Sequence, residues 1–142
     1  MSFVLKIKRL HEEAKLPTYA YPGDAGFDLC VVEEATFAVG HYGAVPTGLA
    51  FEIPEGYVGL IWDKSGLSIS RGLKTLAGVI DAGYRGEVKV GMINLGNEPH
   101  TFKQGEKIAQ MLIQKVEQPE IEVVEELSET HRGEKAFGSS GK

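Results

Sequence analysis

The sequence is poor in cysteine: its 142 residues contain one, Cys30. No disulfide can form within the chain, which excludes the small stapled folds and suits a reducing compartment. Long apolar runs are also missing, and no window approaches the roughly 20 apolar residues of a membrane-spanning helix. The N-terminal MSFVLKIKRL is basic and apolar, yet it is too short for a signal peptide and lacks a small-residue cleavage site. These absences lead to the expectation of a cytoplasmic protein with no membrane contact. Positive charge is in deficit, 15 Lys and Arg against 20 Asp and Glu, for a net charge of −5. That balance argues against a general nucleic-acid binder, which would carry a basic stripe. A small phosphorylated ligand stays open, because a few local cations and a metal can outweigh the global sign. Histidines are few and scattered, at positions 11, 41, 100 and 131, without the Cys/His spacing that zinc needs.

Glycine is abundant, with 18 residues, so the chain turns often and long helices are disfavoured. FVLKIK (residues 3–8) alternates in the period of a strand, and GFDLCVV (26–32) is a short apolar run. Further strands are expected over Ala44–Ile53, Tyr57–Trp62, Leu76–Ile80, Glu87–Leu95, Lys107–Val116 and Ile121–Val124. Turn signals separate them, among them Pro22-Gly23-Asp24, Pro54-Glu55-Gly56 and Gly96-Asn97. Many short strands punctuated in this way indicate an all-β barrel or sandwich. Lys107–Val116 is apolar on both faces apart from Gln110 and Gln114, so it is expected at the centre of a sandwich or against another subunit. One two-turn helix is expected over Ser65–Arg71, with Asp63 or Ser65 able to cap it. No repeat, linker or second domain is evident. The β domain is expected over residues 1–127, followed by a polar, mobile C-terminal segment over 128–142.

The chemistry-bearing residues fall in three places. DKSGL (63–67) sets a lysine, a hydroxyl and a glycine at a strand end just before the short helix. Such a start presents free N–H groups to an anion, although a capped helix start has the same pattern. GVIDAGYRGEV (78–88) places Asp81 directly after an apolar run, where a carboxylate at a strand mouth suits a general base. A β-turn with an aspartate cap has the same appearance. The tail RGEKAFGSSGK (132–142) carries Arg132, a bidentate fork for phosphate, Phe137, a ring able to stack on a base, and glycines whose N–H groups can wrap an anion. Alone, it also reads as a frayed end. Gly133 and Gly138 have P-loop spacing, but Ser139 stands where the lysine belongs and no helix follows. Cys30 ends an apolar run without a neighbouring base and is expected to be core packing.

These stretches resemble the trimeric dUTPase family. Five of its motifs appear in order: AGFDL (25–29), KSGLS (64–68), GVIDAGYRGEV (78–88), GEKIAQ (105–110) and RGEKAFGSSG (132–141). The resemblance implies an all-β, jelly-roll-like homotrimer with composite sites at the subunit interfaces, the tail arriving from a neighbouring chain as a flexible lid. It implies hydrolysis of dUTP to dUMP and pyrophosphate, with magnesium (Mg2+) bound to the triphosphate and water rather than caged by side chains. On that pattern Asp81 is the base that orients and deprotonates water, and Asp28 supports the magnesium-bound waters or the catalytic geometry. Tyr84 blocks the space of a 2′-hydroxyl. The hairpin around Leu76–Ile80, with Thr75, Gly78, Val79 and Ile80, reads uracil. Lys64, Ser65, Gly66 and Gln110 hold phosphates, while Arg132, Gly138, Ser139 and Ser140 close over the γ-phosphate end and Phe137 stacks on the base.

The chain departs from the pattern at three places. Lys64 replaces the usual arginine, turning a bidentate contact into a point charge. Lys135-Ala136 replaces two glycines, and Thr75 stands where some members have asparagine. Two alternatives share the fold: a dCTP deaminase relative and a non-catalytic nucleotide-sensing member. The deaminase pattern needs a glutamate that aligns here with Gly91. The presence of Asp81, Tyr84, Arg132 and Phe137 together argues against lost catalysis.

Overall fold

Strand β8 (Glu87–Asn94) illustrates how this sequence builds its sheets: Val88, Val90, Met92 and Asn94 are buried, whereas Glu87, Lys89, Gly91 and Ile93 between them are not. One face therefore meets the core and the other faces outward. The computed structural model describes residues 3–141. Before β8 the described residues form β1 (Lys6–Arg9), β2 (Phe27–Cys30), β3 (Ala35–Phe37), β4 (Tyr42–Glu52), β5 (Tyr57–Trp62), helix α1 (Ser65–Arg71), β6 (Leu73–Leu76) and β7 (Val79–Ile80). After it come β9 (His100–Phe102) and β10 (Lys107–Lys115).

Two four-stranded antiparallel sheets form, in the orders β1-β4-β8-β6 and β2-β10-β5-β7, with β3-β9 as a separate pair. Their inner faces supply Leu29, Leu49, Phe51, Val90, Met92, Ile108 and Met111, all fully buried. Each such side chain contributes about 1.5–3 kcal/mol by leaving water. Phe27 of one sheet stacks on Phe51 of the other at 6.1 Å between ring centroids. The result is a jelly-roll-like all-β fold. β10 lies between β2 and β5, the central position expected from its two apolar faces.

The long strand β4 is interrupted between Pro46 and Ala50, where its register on β8 shifts. Pro46 has no N–H for the ladder, and Gly48 takes φ 72°, so the irregularity sits where both residues are tolerated. The Gly48 N–H is satisfied instead by Glu87 Oε2 at 2.9 Å.

Three expectations need correction. Leu76–Ile80 is not one strand: β6 ends at Leu76, Ala77 and Gly78 turn with φ 59° and 115°, and β7 begins at Val79. β6 then pairs with β8 and β7 with β5, so the chain forms an arch between the two sheets rather than a paired hairpin. Ile121–Val124 forms no strand, because a strand needs a hydrogen-bonded neighbour, and Ile121 and Val123 stand 91% and 96% exposed. Neither Asp63 nor Ser65 caps α1. Lys64 occupies the N-cap without a side-chain hydrogen bond, and the Asp63 carboxylate is engaged elsewhere. The short strands β3 and β9 were not expected from sequence.

Candidate active site

Strand register brings the first cluster together. Gln110 of β10 lies opposite Asp28 of β2 on one side and Trp62 of β5 on the other. The glycine of AGFDL leaves room for this side chain, since a Cβ on Gly26 would lie 2.5 Å from Gln110 Oε1 and displace the amide. With that space free, Gln110 Nε2 donates to the Asp63 carbonyl at 2.9 Å, fixing the chain just before Lys64. Lys64 then reaches back and donates to Asp28 Oδ1. Lys107 Nζ stands 3.0 Å from Asp28 Oδ2. Burial pushes the Asp28 carboxyl up, but Lys64 and Lys107 outweigh it and hold the group below the usual aspartate range. Asp28 is only 4% exposed yet stays ionised. Ser65 and Gly66 are exposed at the start of α1. Burial pushes the neighbouring Cys30 thiol up, as suits a packing residue rather than a nucleophile.

The second cluster lies along the arch. Val79, Ile80, Asp81 and Tyr84, with Glu87 and Lys89, line an open cavity of about 330 Å³. Asp81 follows β7 and is exposed, and its carbonyl accepts the Tyr84 N–H at 3.1 Å to close the turn. Among the described residues no hydrogen bond engages the Asp81 carboxylate, which leaves it available to a ligand. Tyr84 is pinned through its hydroxyl, which donates to the Glu87 carbonyl at 2.8 Å. Gly78 rests on β5, where its carbonyl accepts the Ile61 N–H at 2.8 Å. A Cβ at Gly78 would come within 2.8 Å of the Ile61 carbonyl oxygen, so the close approach demands glycine. Thr75 is buried, and its N–H goes to Asp63 Oδ1 at 2.7 Å.

The third cluster, the tail, folds only upon itself. Arg132 Nε donates to the Lys135 carbonyl at 2.9 Å, and the Ser139 N–H donates to the Ala136 carbonyl at 3.0 Å. Among the described residues every tail hydrogen bond from Thr130 to Gly141 closes within the tail. Phe137 is fully exposed, and Gly138, Ser139 and Ser140 are also exposed. Residues 1, 2 and 142 of the expected β domain and tail lie outside the described residues.

One chain thus unites Asp28, Lys64 and Gln110, and separately Val79, Ile80, Asp81 and Tyr84. The cavity beside Asp28, about 520 Å³ and bordered by Lys15, Cys30 and Lys107, shares no residue with the one beside Asp81. Among the described residues no group of three or more His, Cys, Asp or Glu side chains is placed to hold a metal. Sequence reasoning missed Lys107 as a partner of Asp28 and Asp63 as a partner of Thr75. Lys107 was legible only as a residue of GEKIAQ, and Asp63 only as a helix cap.

A family model described as dUTPase matches residues 12–141. The deoxyuridine 5'-triphosphate nucleotidohydrolase of Corynebacterium glutamicum is 48% identical over 141 residues, covering 97% of this chain and 95% of that protein. The enzyme of the same name from Caldanaerobacter subterraneus is 47% identical over 148 residues, with 99% of each chain covered. Among solved structures, the dUTPase of Staphylococcus bacteriophage 80alpha with dUpNHpp superposes with a TM-score of 0.91 at 32% identity, over 99% of this chain and 100% of that one. A mutant dUTPase of phage phi11 of S. aureus, whose structure describes the coordination of a structural Mg(II) ion, has a TM-score of 0.82 at 28% identity, over 87% of this chain and 98% of that one. On the motifs, the fold and these matches, the chain belongs to the dUTPase family.

Proposed function

We propose that this protein hydrolyses dUTP to dUMP and pyrophosphate by attack of water on the α-phosphorus, limiting uracil in DNA and supplying dUMP for dTMP synthesis. The observation that carries this reading is Asp81: an exposed carboxylate, engaged by no hydrogen bond among the described residues, at the mouth of β7 beside Tyr84. Asp81 accepts the proton of the attacking water, and the Tyr84 ring occupies the space a ribose 2′-hydroxyl would need. Main-chain groups from Leu76 to Ile80 hydrogen-bond uracil, a role helped by the arch, in which β6 and β7 leave each other's edges unpaired. Lys64, Ser65, Gly66 and Gln110 bind phosphates. Phosphoryl transfer asks mainly for positioning and charge neutralisation, so cations and a single base suffice.

Magnesium fits this residue set. Asp28 is a single ionised carboxylate beside a cationic phosphate site, and Mg2+ is commonly held by one or two carboxylates together with substrate phosphates and water. When bound, the ion neutralises triphosphate charge and polarises the phosphorus under attack. Asp28 would accept from its water ligands, with Lys64 released to the phosphates.

A homotrimer with composite sites is supported by the exposed apolar side chains of Ile121 and Val123, which form no strand within the chain. We assign residues 128–142 as the lid. Arg132, Gly138, Ser139 and Ser140 would close on the γ-phosphate end and Phe137 on the base, excluding water. No described helix is long and apolar enough to cross a membrane, and we place the protein in the cytoplasm, without nucleic-acid partners. The deaminase reading meets a steric obstacle: a Cβ at Gly91 would lie 2.8 Å from the Leu76 carbonyl oxygen, so the site has no room for the required glutamate.

The decisive experiment is pyrophosphate release measured with dUTP, dCTP, dTTP and UTP. Release from dUTP far above the other three is expected. Ammonia release from dCTP, or no turnover with tight nucleotide binding, would favour one of the alternatives.

A further inference from the structure

We propose that Asp63 is a positioning residue for base recognition, its carboxylate bracing the free edge of β6 and so fixing the arch over residues 76–80. The inference rests on the preceding assignment of that arch to uracil. β6 is an edge strand that pairs with β8 on one side only. On its other side Asp63 supplies the missing acceptors, with Oδ1 taking the Thr75 N–H and Oδ2 taking the Lys74 ammonium, both at 2.7 Å. Thr75 is 6% exposed, so without Asp63 its N–H would be a buried donor with no partner.

The brace is itself anchored. The main-chain carbonyl of Asp63 accepts Gln110 Nε2 from β10, which prevents the residue from following β6 if that strand shifts. Two residues earlier, the Ile61 N–H donates to the Gly78 carbonyl on the far side of the turn. The short segment from Ile61 to Asp63 therefore grips both feet of the arch. Such external support has a local reason. Ala77 sits at φ 59°, a conformation that an alanine does not favour by itself, so the turn is held by its surroundings. Lys74 and Thr75 also border, with Ala77, Gly78 and Val79, a small cavity of about 140 Å³ at the arch. Burial pushes the Asp63 carboxyl up, but Lys74 and Thr75 more than offset this and hold it below the usual range. It is thus an ionised acceptor at neutral pH.

The test compares wild type, Asp63→Ala, Asp63→Asn and Asp63→Gln. In Asp63→Ala the Thr75 amide should exchange with solvent at least tenfold faster. KM for dUTP should rise about tenfold, the scale of one lost hydrogen bond to a charged group. The preference for dUTP over dCTP should fall by a similar factor. Rejection of UTP, assigned to Tyr84, should stay as in wild type, and kcat should change much less than KM. Asp63→Asn keeps an acceptor for the Thr75 N–H and should restore most of the selectivity. Asp63→Gln displaces that acceptor by one methylene, so it gives a smaller shift in the same direction and remains readable if the alanine variant does not fold. Wild-type KM and base selectivity in the alanine or glutamine variant, even with a lowered melting temperature, would reduce Asp63 to a structural residue and overturn the proposal. Failure of the wild type to turn over dUTP would instead sink the functional reading, and Thr75 amide protection would still decide whether the brace exists.

Discussion

Lys64, the residue expected to bind phosphate, donates its ammonium to Asp28 within the same chain. Lys107 approaches the other carboxylate oxygen at 3.0 Å. The Lys64 charge is therefore held on a buried carboxylate, and in the proposed role a triphosphate would compete with Asp28 for it. A lysine suits that exchange, because its ammonium is a point charge that can swing between acceptors, whereas a guanidinium would be held by a two-point fork.

Replacing Asp28 by asparagine should reveal what its ion pairs contribute to stability. Loss of charge-assisted bonds at a buried site should cost about 1–3 kcal/mol at neutral pH, read by thermal or denaturant unfolding. The folded carboxyl titrates below its unfolded value. In acid the unfolded chain therefore binds the proton first, and stability falls as pH falls. The contribution is fully present above the ordinary aspartate pKa of about 3.9 and disappears as pH drops through the lower folded value. The stability gap between wild type and Asp28→Asn should be constant near neutrality and close below about pH 4. A gap unchanged in acid would argue against the ion pairs.

Asp81→Asn should lower kcat by about 10²–10⁴-fold, the usual worth of a positioned base. Asp81 is exposed and its side chain makes no hydrogen bond among the described residues, so the melting temperature should hardly move. dUpNHpp binding, measured by calorimetry, should remain detectable. Retention of most turnover would remove Asp81 from the mechanism.

Truncation at residue 130 should reduce turnover at least tenfold while leaving far-UV circular dichroism and unfolding unchanged. The tail's hydrogen bonds all close within itself, so the β sheets lose no described partner. Steady-state pyrophosphate release checks the first expectation. Wild-type kinetics in the truncated protein would exclude a lid.

Gly78→Ala should damage both fold and site. The new Cβ meets the Ile61 carbonyl oxygen at 2.8 Å, at a φ of 115° that L-residues rarely adopt. Backbone strain of about 1–3 kcal/mol is expected, with a lower melting temperature. KM for dUTP should rise more than kcat falls, because the arch and not the base is displaced. A variant with unaltered KM would show that the arch is not the base-reading element.

Much of the fold was legible because burial imposes a period on the sequence. Tyr57–Trp62 and Ser65–Arg71 were bounded as observed, each being a dense local pattern between clear turn signals. β3 and β9 were not, since three residues are too few to show alternation and their strand state rests on pairing with each other. Ile121–Val124 failed in the opposite direction: β-branched residues supply the propensity, but no neighbour among the described residues pairs with them.

For the site, the residue types and their order along the chain were readable, because phosphate, base and water each demand particular chemistry in short motifs. Sequence alone determined an all-β chain carrying Asp28, Lys64, Asp81, Tyr84 and Arg132 in the family's order. Tertiary structure decided which of them meet. Cross-strand register set Asp28 opposite Gln110, and the crossing from one sheet to the other turned an expected hairpin into an arch braced by Asp63. Neither could be read beforehand, since register and sheet order depend on contacts between residues far apart in the chain, which local periodicity does not encode.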